Sequence, residues 1–540
     1  MIGAEMMVKA LENENVKYVF GYPGVSICPF FDKLIESEIK PVLVRTEQAS
    51  AHCASGYARA ASTVGVCVAS SGPGATNLIT GIATAFADSI PMVVITGQVK
   101  SEQIGSDMFQ EADITGACES FVKYSYLIKK TSDIPRVFRE AFYIANSGRK
   151  GPVLIDIPVD IQLSDGGDFF YPEKVSLRTY KPTYKGHSVQ IKKVITTLET
   201  AKRPILCVGG GVISSGAQKE VISFAEKYCI PIVSTMMGIG VCRSDNPLYI
   251  GMVGNNGRKY ANKAMNESDV LIMVGARVAD RAVKQPDLIT QNKILIHIDI
   301  DPAEIGKNAG PSIPIVGDAK NVFADLNKIE FSADFSDWLN ILKGYTKTRE
   351  LSEQESTDKF INPRTFVSKL SEKLSEKAIY VSDVGQNQIY SCANYVAKNG
   401  KFLTSGGMGT MGYSIPAAIG VKFGKRNREV VAVCGDGSFQ MFMNELATIK
   451  YNHLDIKIIV MNNNNLGMIK QYQHEFYANR YTMYDLGDYP KLEDIASAYD
   501  MKYVRALNMD ELDGKLNEAL SSEGPVIFEV KVDPDAFMVS

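Results

Sequence analysis

The sequence predicts an α/β protein of three doubly wound, parallel-sheet domains. Three observations carry this. Short β-branched apolar runs alternate with helical stretches throughout, the pattern of sheets covered on both faces. Two polar segments without periodicity, about 164–190 and 331–362, divide the chain. The length, 540 residues, suits about three domains of ordinary size. The expected domains are 1–165, 190–330 and 360–540.

Composition narrows the function. Hydrophobic residues make up 45% and charged residues 22%, a globular balance. The net charge of −3 gives no reason to expect nucleic acid or an anionic membrane as partner. No apolar run reaches 18 residues, so no spanning helix is expected. The first residues, MIGAEMMVKALENENVKYVF, read as an amphipathic helix and a strand, not a signal or transit peptide, so a cytoplasmic protein is expected. Nine scattered cysteines without a CxxC pair argue for reduced, packed thiols. The five histidines lack ligand spacing, and no GxSxG elbow is present.

In the first unit strands are expected at 18–21, 41–45, 64–69, 92–96 and 153–157. Three turns follow strand ends: Gly21-Tyr22-Pro23-Gly24, Arg45-Thr46-Glu47-Gln48 and the glycine-rich Ser70–Asn77. In the second unit strands are expected at 204–208, 231–234, 270–274 and 294–298. Gly209-Gly210-Gly211 follows the first of these. It departs from the GxGxxG dinucleotide fingerprint, because Ser214 holds the third glycine place.

The third unit holds the most informative stretch, Val430–Gln471. Val430–Cys434 has the character of a buried strand, and Gly435-Asp436-Gly437 ends it. Ser438 is placed to cap a helix, and a second strand, 456–461, runs into Asn462–Asn465. Two parallel strands joined by a helix bring Asp436 and the asparagines together at strand carboxyl ends, where open α/β sheets bind ligands. Glycines and a helix start suit a diphosphate. Asp436 and an asparagine carbonyl are hard oxygen ligands of the kind Mg²⁺ takes beside phosphate.

GDG followed by the asparagines after 24 residues resembles the signature of thiamine diphosphate enzymes. Within them, NNNNLGMIKQYQHEFYANRYT resembles acetohydroxyacid (acetolactate) synthase large subunits. The resemblance implies the thiamine diphosphate-binding fold. It implies decarboxylation of a 2-ketoacid, pyruvate, and carboligation to a second 2-ketoacid; a related decarboxylase or carboligase with another acceptor is the alternative. Mg²⁺ would be held by Asp436, Asn463 and the carbonyl of Asn465. Gln386 and Asn387, in SDVGQN where the family has TDVGQHQ, would reach the diphosphate with Gly435, Gly437, Ser438, Leu466, Gly467 and Met468. In SGGMGTMG the Gly409 carbonyl would take the cofactor's amine and Met411 would bend it.

From the first unit, Gly24, Pro73 and Asn77 would line the aminopyrimidine. Glu47 would share a proton with its ring nitrogen, which requires burial and a raised pKa. Phe109 and Gln110 would line the reaction site, Lys123 its entrance, and Arg281 would grip the second carboxylate. The middle unit resembles a flavin domain, implying FAD on Gly209, Gly210, Gly211, Thr235, Met236, Gly275, Arg277, Asp299 and Asp318. The family also implies a homodimer or homotetramer with thiamine across the subunit interface, and a regulatory small subunit. Departures gather where the acceptor would sit: Val25 replaces a glycine, Asn255 a methionine and Tyr472 a tryptophan; beside the flavin, Asn255-Asn256 and Val278-Ala279 stand where the family motifs have other residues. The sequence ends at Met538-Val539-Ser540, where the family carries a tail that helps close the site.

Overall fold

A computed structural model describes residues 1–283, 285, 289–347 and 359–538. It contains three six-stranded sheets in which every pairing between strands is parallel. The first is built from β1 (Tyr18–Gly21), β2 (Lys40–Leu43), β3 (Gly65–Ala69), β4 (Met92–Gln98), β5 (Tyr124–Leu127) and β6 (Pro152–Pro158), in the order β2-β1-β3-β4-β6-β5. The second contains β7 (Pro204–Val208), β8 (Ile232–Ser234), β9 (Tyr249–Met252), β10 (Val270–Val274), β11 (Ile294–Asp299) and β12 (Ile313–Val316). Its order is β12-β11-β10-β7-β8-β9, that of the dinucleotide-binding fold. The third contains β13 (Ile379–Ser382), β14 (Lys401–Leu403), β15 (Val430–Gly435), β16 (Lys457–Asn462), β17 (Lys502–Ala506) and β18 (Val526–Lys531). Its order, β14-β13-β15-β16-β18-β17, repeats that of the first sheet.

The continuous apolar strands of these sheets are buried on both faces, as expected of parallel sheets under helices. The winding reverses between β1 and β3, between β7 and β10, and between β13 and β15, and the first and third sheets turn back once more at their last strand. Ligands bind in the crevice at such points. The turns singled out in the sequence follow these strands.

The first and third sheets share one core within the chain. The helix Glu47–Ala61 crosses the helix Ser414–Gly424 with backbones in contact: a β-carbon on Gly420 would lie 1.8 Å from the Cys53 carbonyl oxygen. The buried carboxylate of Glu445 accepts the Arg45 N–H at 2.8 Å, just before Glu47.

Two local expectations are corrected. The segment 331–362 is not linker throughout: Ser336–Lys347 is a helix, and Phe335, Trp338, Leu339 and Leu342 bury its apolar stripe in the central core. Residues 348–358 of that segment lie outside the described residues. In the third unit the helix starts at Asp436, not after Ser438. Gly435 occupies the cap position, and the Ser438 hydroxyl both accepts the Gly435 N–H and donates to the Gly435 carbonyl.

Candidate functional site

The carboxyl ends of β15 and β16 place Asp436 and the asparagines side by side, with Gly435 in register with Met461. Asp436 is nine-tenths buried, and desolvation lifts its carboxyl to about 7 against the weaker effect of backbone N–H donors. A carboxylate so placed gains most from a cation. Asn463 is buried; its Oδ1 accepts the Asn465 N–H at 3.0 Å, and Asn465 Nδ2 donates to the Asn463 carbonyl at 2.8 Å. One carboxylate, one amide oxygen and one backbone carbonyl form a hard-oxygen set that suits Mg²⁺ completed by phosphate and water. Among the described residues no cluster of three or more His, Cys, Asp or Glu offers another metal site.

The cofactor candidates of this unit come together around that set. Gln386 opens the helix after β13, and Asn463 Nδ2 donates to Gln386 Oε1 at 3.4 Å. A β-carbon on Gly467 would lie 2.0 Å from the same Oε1, so a larger residue would displace the Gln386 side chain. Asn387 is buried and donates to the Asp383 carbonyl at 2.9 Å. Gly437 lies under Leu466 and Met411, 2.8 and 3.3 Å from where its β-carbon would be. Met468 is half-buried in the first turn of the next helix, Gly467–Phe476. Gly409, with φ of +70°, faces the Arg281 guanidinium 3.8 Å from its β-carbon position. Arg281 is exposed, and this approach brings the central unit against the loop.

The first unit builds a second cluster at the ends of β1 to β4. Asn77 Nδ2 donates to Glu47 Oε2 at 3.0 Å. Gly24 presses on Ser70, and Gly72, with φ of +57°, packs on the Gln110 backbone. Pro73, Asn77, Phe109 and Gln110 are exposed. Glu47 is only half-buried, so one chain does not supply the burial its expected role requires. Among the described residues, its side-chain hydrogen-bond partner lies in the first unit.

Lys123 is tied into its own unit. Its ammonium donates to the Ile144 and Ser147 carbonyls and to the Tyr180 hydroxyl, closing the C-terminal end of the helix Ile134–Asn146. Burial lowers it to about 7.

Over the reversal point of the central sheet lies a cavity of about 410 Å³. Gly210, Gly211, Thr235, Met236, Gly275, Arg277, Asp299 and Asp318 all line it. Gly209 lies beneath, its β-carbon position 2.3 Å from the Gly275 carbonyl oxygen. Asp299 is lifted to about 6 by desolvation. A bare glycine floor with two carboxylates at strand ends fits a dinucleotide's phosphates and ribose hydroxyls. Arg277 donates to the Ala87 carbonyl at 2.8 Å, and Asp88 accepts the Gly406 and Gly407 N–H groups, so all three units meet at the rim.

Several organising residues carried no expectation. Asp383, fully buried, accepts N–H bonds from Val384, Gly412 and Ser414, which fixes the Gly409–Gly412 loop. Burial raises its carboxyl. Asp156 is buried against Thr96 and Gln98, and Gln98 in turn donates to the Ala112 carbonyl beside Gln110. A carboxylate at the end of a strand, two residues before Gly385, was the only signal for Asp383; Asp156 sits inside an apolar run and gave none.

Comparison with known proteins follows the same division. Residues 1–117 match the thiamine pyrophosphate enzyme N-terminal TPP binding domain, 191–326 the central domain, and 383–530 the C-terminal TPP binding domain. The probable acetolactate synthase large subunit of Methanocaldococcus jannaschii is 45% identical over 99% of this chain and 92% of its own length. The acetolactate synthase large subunit of Haemophilus influenzae is 41% identical over 98% of this chain and 94% of its own length. That of Corynebacterium glutamicum is 41% identical over 99% and 87%.

Proposed function

We propose a function for a chain that belongs to the thiamine pyrophosphate enzymes and, among them, to the acetolactate synthase large subunits: decarboxylation of pyruvate and joining of the two-carbon remainder to a second 2-ketoacid. The observation that carries the reading is the meeting of Asp436, Asn463 and Asn465 at two strand ends, inside a chain of this family. Bound thiamine diphosphate supplies the nucleophilic carbon and the electron sink for decarboxylation. The chain's part is to hold, orient and exclude water.

Asp436, Asn463 and the Asn465 carbonyl are assigned to Mg²⁺, and Gln386, Asn387 and the start of the helix at Asp436 to the diphosphate. Burial of Asp436 supports this, because its charge needs a cation to be stable there. Met411 and the Gly409 carbonyl are assigned to the aminopyrimidine, and Glu47 to the proton at its ring nitrogen. Arg281 is assigned to the acceptor's carboxylate, supported by its approach to Gly409. FAD is assigned to the central cavity.

We assign the working form to a homodimer, or a homotetramer built from it. The open Glu47 cluster supports this, since a second copy would supply the missing cover. Val25 and Phe109 are 84% and 87% exposed beside that cluster, and Tyr472 is 54% exposed beside the other. A regulatory small subunit is assigned from the relatives' printed names. Among the described residues no helix is long and apolar enough to cross a membrane, and we assign the protein to the cytoplasm.

Incubation with pyruvate, thiamine diphosphate and Mg²⁺, with products read by mass spectrometry, tests the reading. Acetolactate is expected. Acetaldehyde as the sole product, or turnover only with an added aldehyde acceptor, would replace it with the related decarboxylase or carboligase.

A further inference from the structure

The four asparagines do not play equal parts. Asn463 is buried toward Gln386, whereas Asn462 and Asn464 turn toward the last strand of the sheet. β18 runs beside β16 with Lys531 in register with Asn462. Asn462 Nδ2 donates to Glu529 Oε1 at 2.7 Å, and the Val532 N–H donates to the Asn462 carbonyl at 3.0 Å. Asn462 Oδ1 accepts the Asn464 N–H at 3.0 Å. Asn464 Oδ1 takes a hydrogen bond from the Lys531 ammonium, and its Nδ2 donates to Asp488.

These bonds hold a strained turn. Asn464 has φ of +59°, a left-handed conformation in which a residue other than glycine needs local support. Asn463 and Asn465 flank it, so the placement of the two oxygens assigned to the cation follows from this turn. Glu529 is itself an unusual residue for a central strand. It is 95% buried by its 5% exposure, and it is satisfied by Asn462, the Tyr503 hydroxyl and the Arg505 guanidinium. A buried acid tied to the loop by two strands is a rigid support.

We propose that Lys531 and Glu529 are positioning residues for the cation site: they set the turn at Asn464 and thereby the geometry of Asn463 and Asn465. This rests on the assignment of Mg²⁺ to Asp436, Asn463 and Asn465. Groups that orient metal ligands from behind typically change affinity 10–100-fold when removed.

The sign of the effect separates positioning from simple electrostatics. Lys531 lies close enough to Asp436 to act on its charge. Removing that ammonium would, by Coulomb's law alone, strengthen cation binding. Removing a support for the ligand turn weakens it.

The test is Mn²⁺ binding to the full chain with thiamine diphosphate, read by electron paramagnetic resonance, with circular dichroism to establish folding. Lys531→Met is expected to weaken Mn²⁺ about 10–100-fold, and Lys531→Arg to recover most of that loss. Glu529→Gln, a milder change, is expected to weaken it in the same direction and serves if Lys531→Met does not fold. Asp436→Asn is the control and is expected to abolish binding. If Asp436→Asn binds Mn²⁺ like the parent, the metal assignment itself is wrong. If Asp436→Asn loses Mn²⁺ while folded Lys531→Met binds equally or more tightly, the positioning role is wrong and the metal assignment stands.

Discussion

Replacing Gly420 by alanine tests how the first and third units are held together. Gly420 lies in the helix Ser414–Gly424, at its crossing with Glu47–Ala61. An alanine β-carbon there would stand 1.8 Å from the Cys53 oxygen, 2.7 Å from the Cys53 carbonyl carbon and 2.8 Å from the Tyr57 nitrogen. Carbon needs about 3.5 Å to such atoms, so the helices would have to part by more than about 1 Å. The obstacles are backbone atoms, which cannot rotate aside. Gly56 meets Ala417 in the same way from the opposite helix, with 2.0 Å to its carbonyl oxygen. Overpacking of this kind costs about 1–3 kcal/mol, and the rigid backbone places this site at the upper end. Gly514 provides the matched control: it lies in the helix Met509–Ser521, and its β-carbon position is open. Gly514→Ala should stabilise by roughly 0.5–1 kcal/mol. Urea unfolding followed by circular dichroism, with hydrogen exchange of residues 414–424, measures both. If Gly420→Ala falls within about 0.5 kcal/mol of the parent, on the scale of an ordinary surface change, the crossing is not as close as described.

Three further outcomes follow from the same geometry. Asp156 is lifted to about 7 by burial. Its protonated form is therefore the one folding favours, and its contribution is full below its unfolded value near 3.8 and lost as pH rises through 7. The loss amounts to roughly 4 kcal/mol as an upper figure; Asp156→Asn should flatten the decline in stability between pH 4 and 7, and an unchanged slope would show that this carboxyl is not the cause. Lys123→Met should remove a donor from the Ile144 carbonyl and the Tyr180 hydroxyl and one of two donors from the Ser147 carbonyl, and cost about 1–3 kcal/mol while leaving KM for pyruvate within about twofold; a large KM change with unchanged stability would place Lys123 at the substrate entrance. Glu47→Gln should lower kcat by about 10²–10⁴-fold, the worth of a positioned proton-transfer group, and slow exchange of the cofactor's C2 proton measured by NMR. Exchange at the parent rate would remove Glu47 from that role.

The parts of the fold legible in the sequence are those whose physics is local. β1, β7 and β10 were expected at their observed bounds, because a fully buried parallel strand is a short uninterrupted apolar run. β5, β9, β14 and β17 carried no expectation. They are edge strands with exposed or polar positions, and their runs are short or mixed. β18 was hidden differently: it is central, but Glu529 and Lys531 interrupt its apolar character.

The same division explains the site. The groups assigned to a cofactor gather next to glycines at strand ends, so Gly435–Gly437, the asparagines and Ser70–Asn77 stood out as contiguous words. The groups that hold them in place come from distant parts of the chain. Glu445 reaches Arg45 across 400 residues, Glu529 reaches Asn462 across 67, and Asp383 reaches Gly412 across 29. Nothing in the sequence beside Asn462 announces Glu529, because their proximity is a product of sheet order rather than spacing. Lys123 illustrates the converse. Its short motif pointed to the entrance, yet a helix end supplies carbonyls that an ammonium satisfies more fully than solvent does. In this chain the turn at Asn464 is held from β18, where two charged residues in a central strand are tolerated because each has one of the turn's asparagines as its partner.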